Sequence, residues 1–106
     1  MTERYFLTPD ARSDLAEIAD TIAQESGPAR AAKVVERIRK TMRFLAENPG
    51  VGHPREDLTE NPSVRFWAVF SYLIVFVPGE GPLDSLGVVR IIHGARDPNE
   101  IHRRLR

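Results

Sequence analysis

Residues 86–97 read Leu-Gly-Val-Val-Arg-Ile-Ile-His-Gly-Ala-Arg-Asp, and the rest of the chain is organised around this stretch. Its first part is short, apolar and largely β-branched, which predicts a strand with both faces covered. A guanidinium is costly in such a run unless it is paired or reaches water, so Arg90 is unusual there. His93 and Arg96 follow where the strand gives way to a turn at Gly94.

The three basic residues at this strand end allow two interpretations. In the first, Arg90 forms an ion pair with a carboxylate and the strand end is purely structural. In the second, Arg90, His93 and Arg96 belong to a site that meets an anionic or nucleic-acid-bound target. The sequence leaves both interpretations open.

Two amphipathic helices precede this strand. Thr8-Pro9-Asp10 combines an N-cap residue, a proline at the first helical position and an acid in the positive first turn, so a helix begins there. Its apolar residues recur at helical spacing until Ser26-Gly27. Pro28 then opens a second helix, which we expect to end near Glu47 because Asn48-Pro49-Gly50 stops it. The apolar residues of this helix form one stripe, which we expect to be buried: Ala31, Val34, Val35, Ile38, Met42 and Leu45. The short connection predicts an antiparallel helical hairpin.

Charge differs between the two helices. Residues 9–25 hold five acids and one base, whereas residues 28–47 hold six bases and two acids. Four of the bases form a row on one face of the second helix: Arg30, Lys33, Arg37 and Lys40. The row either complements the acidic first helix beside it or contacts a partner or a nucleic acid.

Three strands follow the hairpin. We expect strands at residues 64–69, Tyr72–Val77 and Leu86–His93, with the very apolar second one in the centre. Their short connections predict an antiparallel meander, to whose edge residues 4–7 can add a strand. Asp97-Pro98 then opens a short helix over residues 99–106. The predicted fold class is α+β, in the order β-α-α-β-β-β with a short C-terminal helix, and the hairpin packs on a small antiparallel sheet.

Composition limits the kinds of function that are possible. With 106 residues, the chain suits one domain, spanning 1–106, and its 15 acids balance its 15 bases. The absence of cysteine excludes disulfides and thiolate chemistry and is compatible with the cytoplasm, where we expect the protein. His53 has no second ligand at metal-binding spacing, so we expect no metal and no cofactor. The longest apolar run is far too short for a bilayer, and we expect no membrane contact.

The chain resembles the ParE toxins of bacterial type II toxin–antitoxin modules, within the RelE/ParE superfamily. The resemblance begins where Leu7-Thr8-Pro9 enters the first helix, and it spans nearly the whole chain. Three further segments carry it in order: Asn48-Pro49-Gly50-Val51-Gly52-His53-Pro54-Arg55-Glu56-Asp57-Leu58, Tyr72-Leu73-Ile74-Val75-Phe76, and Val89-Arg90-Ile91-Ile92-His93-Gly94-Ala95-Arg96-Asp97.

The resemblance implies a non-catalytic toxin that binds DNA gyrase and blocks its strand passage. The residues that would bind the target are basic groups of the strands and the tail: Arg65, Arg90, His93, Arg96, Arg103, Arg104 and Arg106. For the three tail arginines, a solvated and frayed helix end is the alternative.

The resemblance also implies an antitoxin partner. We expect a cognate ParD-like antitoxin, of ribbon-helix-helix type, in a higher-order toxin–antitoxin hetero-oligomer. Its tail would lay a helix on apolar surface and extend the sheet, which an exposed sheet edge and a helical hairpin both allow. The candidate aromatic anchors are Phe66, Trp67, Phe70 and Tyr72. Core packing is the alternative for Phe66, Trp67 and Tyr72.

The RelE branch of the superfamily offers a second function, ribosome-dependent mRNA cleavage. That reaction needs a base, an acid and cations that stabilise a phosphorane-like charge. Here Arg65 and Arg90 would supply the cations, and His93 or His102 would carry the proton. The chain has no Lys after the second helix and no Tyr after Tyr72, so it lacks a dense basic cluster. A third possibility is a toxin-like protein that only binds its antitoxin.

Overall fold

A computed structural model of the protein describes residues 5–94 and 97–105. The elements follow the predicted order of one strand, two helices, three strands and a short helix, which confirms the α+β fold. In chain order they are β1 (Tyr5–Leu7), α1 (Pro9–Ser26), α2 (Pro28–Glu47), β2 (Arg65–Val69), β3 (Tyr72–Val77), a 3₁₀ turn (Pro82–Asp84), β4 (Leu86–His93) and α3 (Pro98–Arg104).

The four strands form one sheet in the order β1-β4-β3-β2. Strands β2, β3 and β4 make the predicted antiparallel meander. Phe70 and Ser71 form the turn that connects β2 to β3. The apolar β3 lies between two strands, as expected. β1 adds to the edge beside β4, and it runs parallel to that strand.

Thr8 fixes the start of α1 to β4. Its hydroxyl oxygen accepts a hydrogen bond from the Ala11 N–H at 3.1 Å, which makes Thr8 the predicted N-cap. The same hydroxyl donates to the Val89 carbonyl at 2.8 Å. The backbone N–H of Thr8 donates to the Val88 carbonyl at 3.0 Å. The helix therefore begins at a defined position along the strand.

The sheet has a core on each face. The hairpin covers one face, where the predicted apolar stripe of α2 contributes the fully buried Ile38, Met42 and Leu45. On the other face, a smaller core gathers side chains from the loop after α2, from the sheet and from α3: Leu58, Phe66, Val75, Ile92 and Ile101. α3 is therefore packed against the sheet through Ile101.

Some predictions fall on residues outside the described ranges. These residues are Arg4 at the start of the predicted first strand, and Arg96 and Arg106 among the predicted target-binding groups. None of the helices in residues 5–94 and 97–105 combines the length and apolar character needed to cross a membrane.

Candidate functional site

Arg90 is held by Asp14 of α1. β1 pairs with β4 only as far as Val88, so the next part of that edge of β4 has no neighbouring strand among the described residues. Asp14 covers the edge there: its Oδ2 accepts the Ile91 N–H at 2.9 Å. Arg90 donates from Nε to Oδ2 at 2.7 Å and from Nη2 to Oδ1 at 2.9 Å. The structure therefore confirms that Arg90 pairs with a carboxylate, while target binding at this strand end stays a prediction.

The pair also joins α3 to this edge. Arg90 Nη1 donates to the Arg104 carbonyl oxygen at 3.3 Å, so one guanidinium links β4, α1 and α3. The side chains of Arg90 and Asp14 are only 16% and 12% exposed. The hydrogen bond to Asp14 raises the pKa of Arg90 above its usual value, against the opposing effect of burial. Arg90 therefore stays charged, and its hydrogen bonds to Asp14 and Arg104 fix its position.

A cavity of about 190 Å³ lies beside this junction. It brings together three of the predicted target-binding residues, Arg90, His93 and Arg104, with Tyr72 beside them. The rings of Tyr72 and His93 meet edge to face, with centroids 5.3 Å apart. The cavity is also lined by the carboxylates of Asp14 and Glu17, so its charge is mixed.

Arg65 lies away from this cluster. Its Nη1 donates to the Gly52 carbonyl oxygen at 2.8 Å, on the far side of β3. Arg65 and Arg90 are paired with Phe76 and Val75 of β3, and two strand spacings separate their backbones by about 10 Å. The structure therefore does not bring Arg65 and Arg90 together.

The remaining basic candidate in the described chain, Arg103, is exposed on α3. Within residues 5–94 and 97–105, His, Asp and Glu nowhere gather in a group of three that could hold a metal ion.

The four predicted antitoxin anchors do not share one surface. Phe66 is only 2% exposed and belongs to the smaller core, so it packs in the core, which was the alternative to antitoxin binding. Trp67 is half-buried and packs against the hairpin core on the opposite face of β2. Phe70 is 58% exposed at the β2–β3 turn, where it takes a φ of 53°. Tyr72 is half-buried at the start of β3.

A groove between the hairpin and β1 was not predicted from the sequence. This cavity of about 480 Å³ is lined by side chains from three elements: Tyr5, Phe6, Leu7, Arg12, Leu15, Ala16, Ala19, Val35 and Arg39. Phe6 stands at its edge and is 41% exposed. The sequence does contain a signal for this groove. Ala16 and Ala19 are small residues three positions apart, beside the apolar residues of α1, and such residues leave a depression on the surface of a helix.

The basic row of α2 is not paired with α1. Arg30, Lys33, Arg37 and Lys40 are all exposed. The ion pairs between described residues involve other groups, namely Arg43–Glu36, Arg55–Asp57, Arg90–Asp14 and Arg104–Glu100. The interpretation that this row complements the acidic first helix is therefore wrong for the described part of the chain.

Comparison with known proteins adds three findings. Residues 5–98 match the family described as the ParE toxin of the type II toxin–antitoxin system, parDE. Toxin ParE1 of two strains of Mycobacterium tuberculosis is 30% identical over 98 residues, which cover 92% of this chain and 95% of that toxin. A chain of the chromosomal ParDE system from P. aeruginosa superposes with a TM-score of 0.68 at 26% identity, covering 84% of this chain and 92% of that one.

Proposed function

Because the chain belongs to the ParE toxin family of type II toxin–antitoxin systems, we propose that it inhibits DNA gyrase by binding to it, without cleaving RNA. A cognate ParD-like antitoxin of ribbon-helix-helix type neutralises it in a higher-order hetero-oligomer. The toxin acts in the cytoplasm and needs no cofactor. The ParDE system of the P. aeruginosa relative supports an antitoxin partner of this kind.

The observation that most supports this proposal is that Arg90 is held by hydrogen bonds within the protein. Two of its three guanidinium nitrogens donate to Asp14, and the third donates to the Arg104 carbonyl. A ribonuclease needs several cations around one phosphate, with a base and an acid in line. Here three of the five N–H donors of Arg90 are already used, and Arg65 lies beyond a strand. This arrangement supports binding rather than phosphodiester chemistry.

The target-binding surface that we propose surrounds the smaller cavity. His93 and Arg104 line this cavity, and Arg103 is exposed on the same short helix as Arg104. Arg96 and Arg106, close to these residues in the chain, complete the proposed set. Arg90 contributes by fixing the positions of β4 and α3, and Arg65 contributes a separate contact on β2.

The antitoxin site that we propose is the larger groove. An amphipathic helix of the antitoxin tail lies against Phe6, Leu7 and the two alanines of α1. β1 has a partner strand on one side only within the described sheet, so its outer edge can pair with an added strand. Trp67, Phe70 and Tyr72 keep exposed surface and remain proposed contacts for the rest of the tail.

Phe6→Ala tests this assignment. Expression of the chain alone is expected to arrest bacterial growth, and co-expression of the protein encoded immediately upstream is expected to restore it. Phe6→Ala removes an aromatic anchor, so the antitoxin affinity should fall about 30-fold, as for a hot-spot residue worth about 2 kcal/mol. Titration calorimetry measures the affinity, and the co-expression assay should show weaker rescue.

Lys33→Ala is the control, because Lys33 is exposed on α2 and lies outside the groove. Its antitoxin affinity should equal that of the wild type. Equal losses in both variants would show that the groove is not the antitoxin site. A wild-type chain that causes no growth arrest would remove the toxin proposal itself.

A further inference from the structure

Four exposed cations of α2 form a straight row. At 3.6 residues per turn, Arg30, Lys33, Arg37 and Lys40 fall within a sector of about 80° and span about 15 Å along the helix. All four are exposed. Arg39 lies on the opposite flank, where it lines the groove beside α1. The row therefore faces away from the acidic first helix.

No carboxylate of the described residues forms an ion pair with the row. Glu36 is the acid of α2 nearest to it in helical spacing, at i+3 from Lys33 and i−4 from Lys40. Its carboxylate instead pairs with Arg43 Nη2 at 3.2 Å, further around the helix. The chain carries 15 acids and 15 bases, so its overall composition is not basic. The positive charge of the row therefore comes from an uneven distribution of acids and bases along the chain.

An exposed aromatic side chain continues the row. Phe44 follows Lys40 by four residues, in the middle of the same sector, and is 42% exposed. Its ring is supported by Trp67, with centroids 5.7 Å apart. Trp67 in turn stacks on His53, with centroids 6.1 Å apart and an interplanar angle of 4°. The end of the row is thus an aromatic platform.

We propose that Arg30, Lys33, Arg37, Lys40 and Phe44 form a nucleic-acid-binding surface, in which the cations follow a phosphate backbone and Phe44 meets a sugar or base. Duplex DNA carries one negative charge per roughly 1.7 Å of axis, so a rigid row of this length faces several phosphates at once. Aromatic side chains contribute stacking to such contacts. The proposal goes beyond the toxin function.

An acidic peptide fits this surface less well. Peptide helices bind by burying an apolar face in a groove, whereas polyanions bind to exposed charge. The two cavities described above lie elsewhere, one beside β1 and one beside α3. The row itself stands on the outer flank of a helix. Its charge is therefore better matched by a continuous line of phosphates.

The test is fluorescence anisotropy of the full chain with short labelled nucleic acids. The probes are a mixed-sequence DNA duplex of about 20 base pairs, the corresponding single strand, and a polyglutamate peptide. Four phosphate contacts predict that the duplex affinity falls about 100-fold between 50 and 200 mM salt. Arg37→Glu/Lys40→Glu should weaken nucleic-acid binding at least about tenfold, since it removes two contacts and adds repulsion. Circular dichroism checks that the variants fold.

Arg12→Glu/Arg39→Glu is the control, because it changes the net charge equally on the other side of the hairpin. It should bind the duplex like the wild type. Equal weakening in both double variants would overturn the proposal, because net charge alone would then explain binding. Tighter binding of polyglutamate than of either nucleic acid would overturn it in favour of an acidic protein partner. Neither gyrase nor antitoxin is present, so this proposal and the toxin function can fail separately.

Discussion

Replacing Asp14 with Asn is expected to lower the free energy of unfolding by about 3 kcal/mol, as for other partly buried ion pairs that lose one partner. The Asp14 carboxylate accepts two hydrogen bonds from Arg90 and one from the Ile91 N–H. The substitution leaves a guanidinium that is only 16% exposed without its countercharge. Urea unfolding of the two purified proteins measures the difference.

Asp57→Asn is the matched control for Asp14→Asn. Asp57 binds Arg55 through the same two-pronged geometry, at 2.7 and 2.9 Å, but both side chains are largely exposed. Exposed ion pairs add little, so the midpoint of urea unfolding should hardly move. Similar losses in the two variants would show that burial of the Asp14–Arg90 pair has no special role. The proposed structural function of Arg90 would then be withdrawn.

The second large effect is expected for Gly52→Ala. Gly52 lies in the buried part of the loop after α2, and an added Cβ would collide with the ring of Phe76 and come within 2.9 Å of the Cβ of Arg65. Both neighbours belong to the sheet, so the loop must move away from β2. Overpacking of this kind costs about 3 kcal/mol. Urea unfolding gives the loss, and the fluorescence of the single Trp67 reports local change beside the loop.

Gly50→Ala provides the control two residues earlier in the same loop. A Cβ at position 50 would meet no atom within 4 Å. Its stability should therefore match that of the wild type, with unchanged Trp67 fluorescence. A stable Gly52→Ala protein would mean that this loop does not pack closely against Phe76.

Much of the fold could be predicted because the capping residues and the hydrophobic periodicity indicated the same elements. Thr8-Pro9 predicted the start of α1, and the apolar stripe of α2 predicted the residues that became buried. The parallel direction of β1 is set by distant contacts to β4, such as the hydrogen bonds of Thr8 to Val88 and Val89, and periodicity does not report those. The packing of α3 through Ile101 was likewise not predictable from seven residues.

The candidate site was less predictable. The sequence marked Arg90 as needing a partner, but only the structure identifies Asp14, 76 residues away, as that partner. Successive side chains of a strand point to opposite faces, so Phe66 and Trp67 must lie on different faces of β2, but alternation does not show that both faces are covered. The exposure of Phe6 and Phe44 could not be predicted, because the sequence does not indicate whether a single aromatic side chain is buried or exposed. The charge row of α2 was visible, whereas its orientation away from α1 depends on how the two helices pack.

Inhibition of gyrase is tested most directly by a supercoiling assay with purified gyrase, relaxed plasmid and the purified chain. We expect the toxin to block supercoiling, the antitoxin to restore it, and mRNA translated on ribosomes to stay intact in the presence of the toxin. Unimpaired supercoiling, together with ribosome-dependent mRNA cleavage that His93→Ala abolishes, would instead show that the chain is a nuclease.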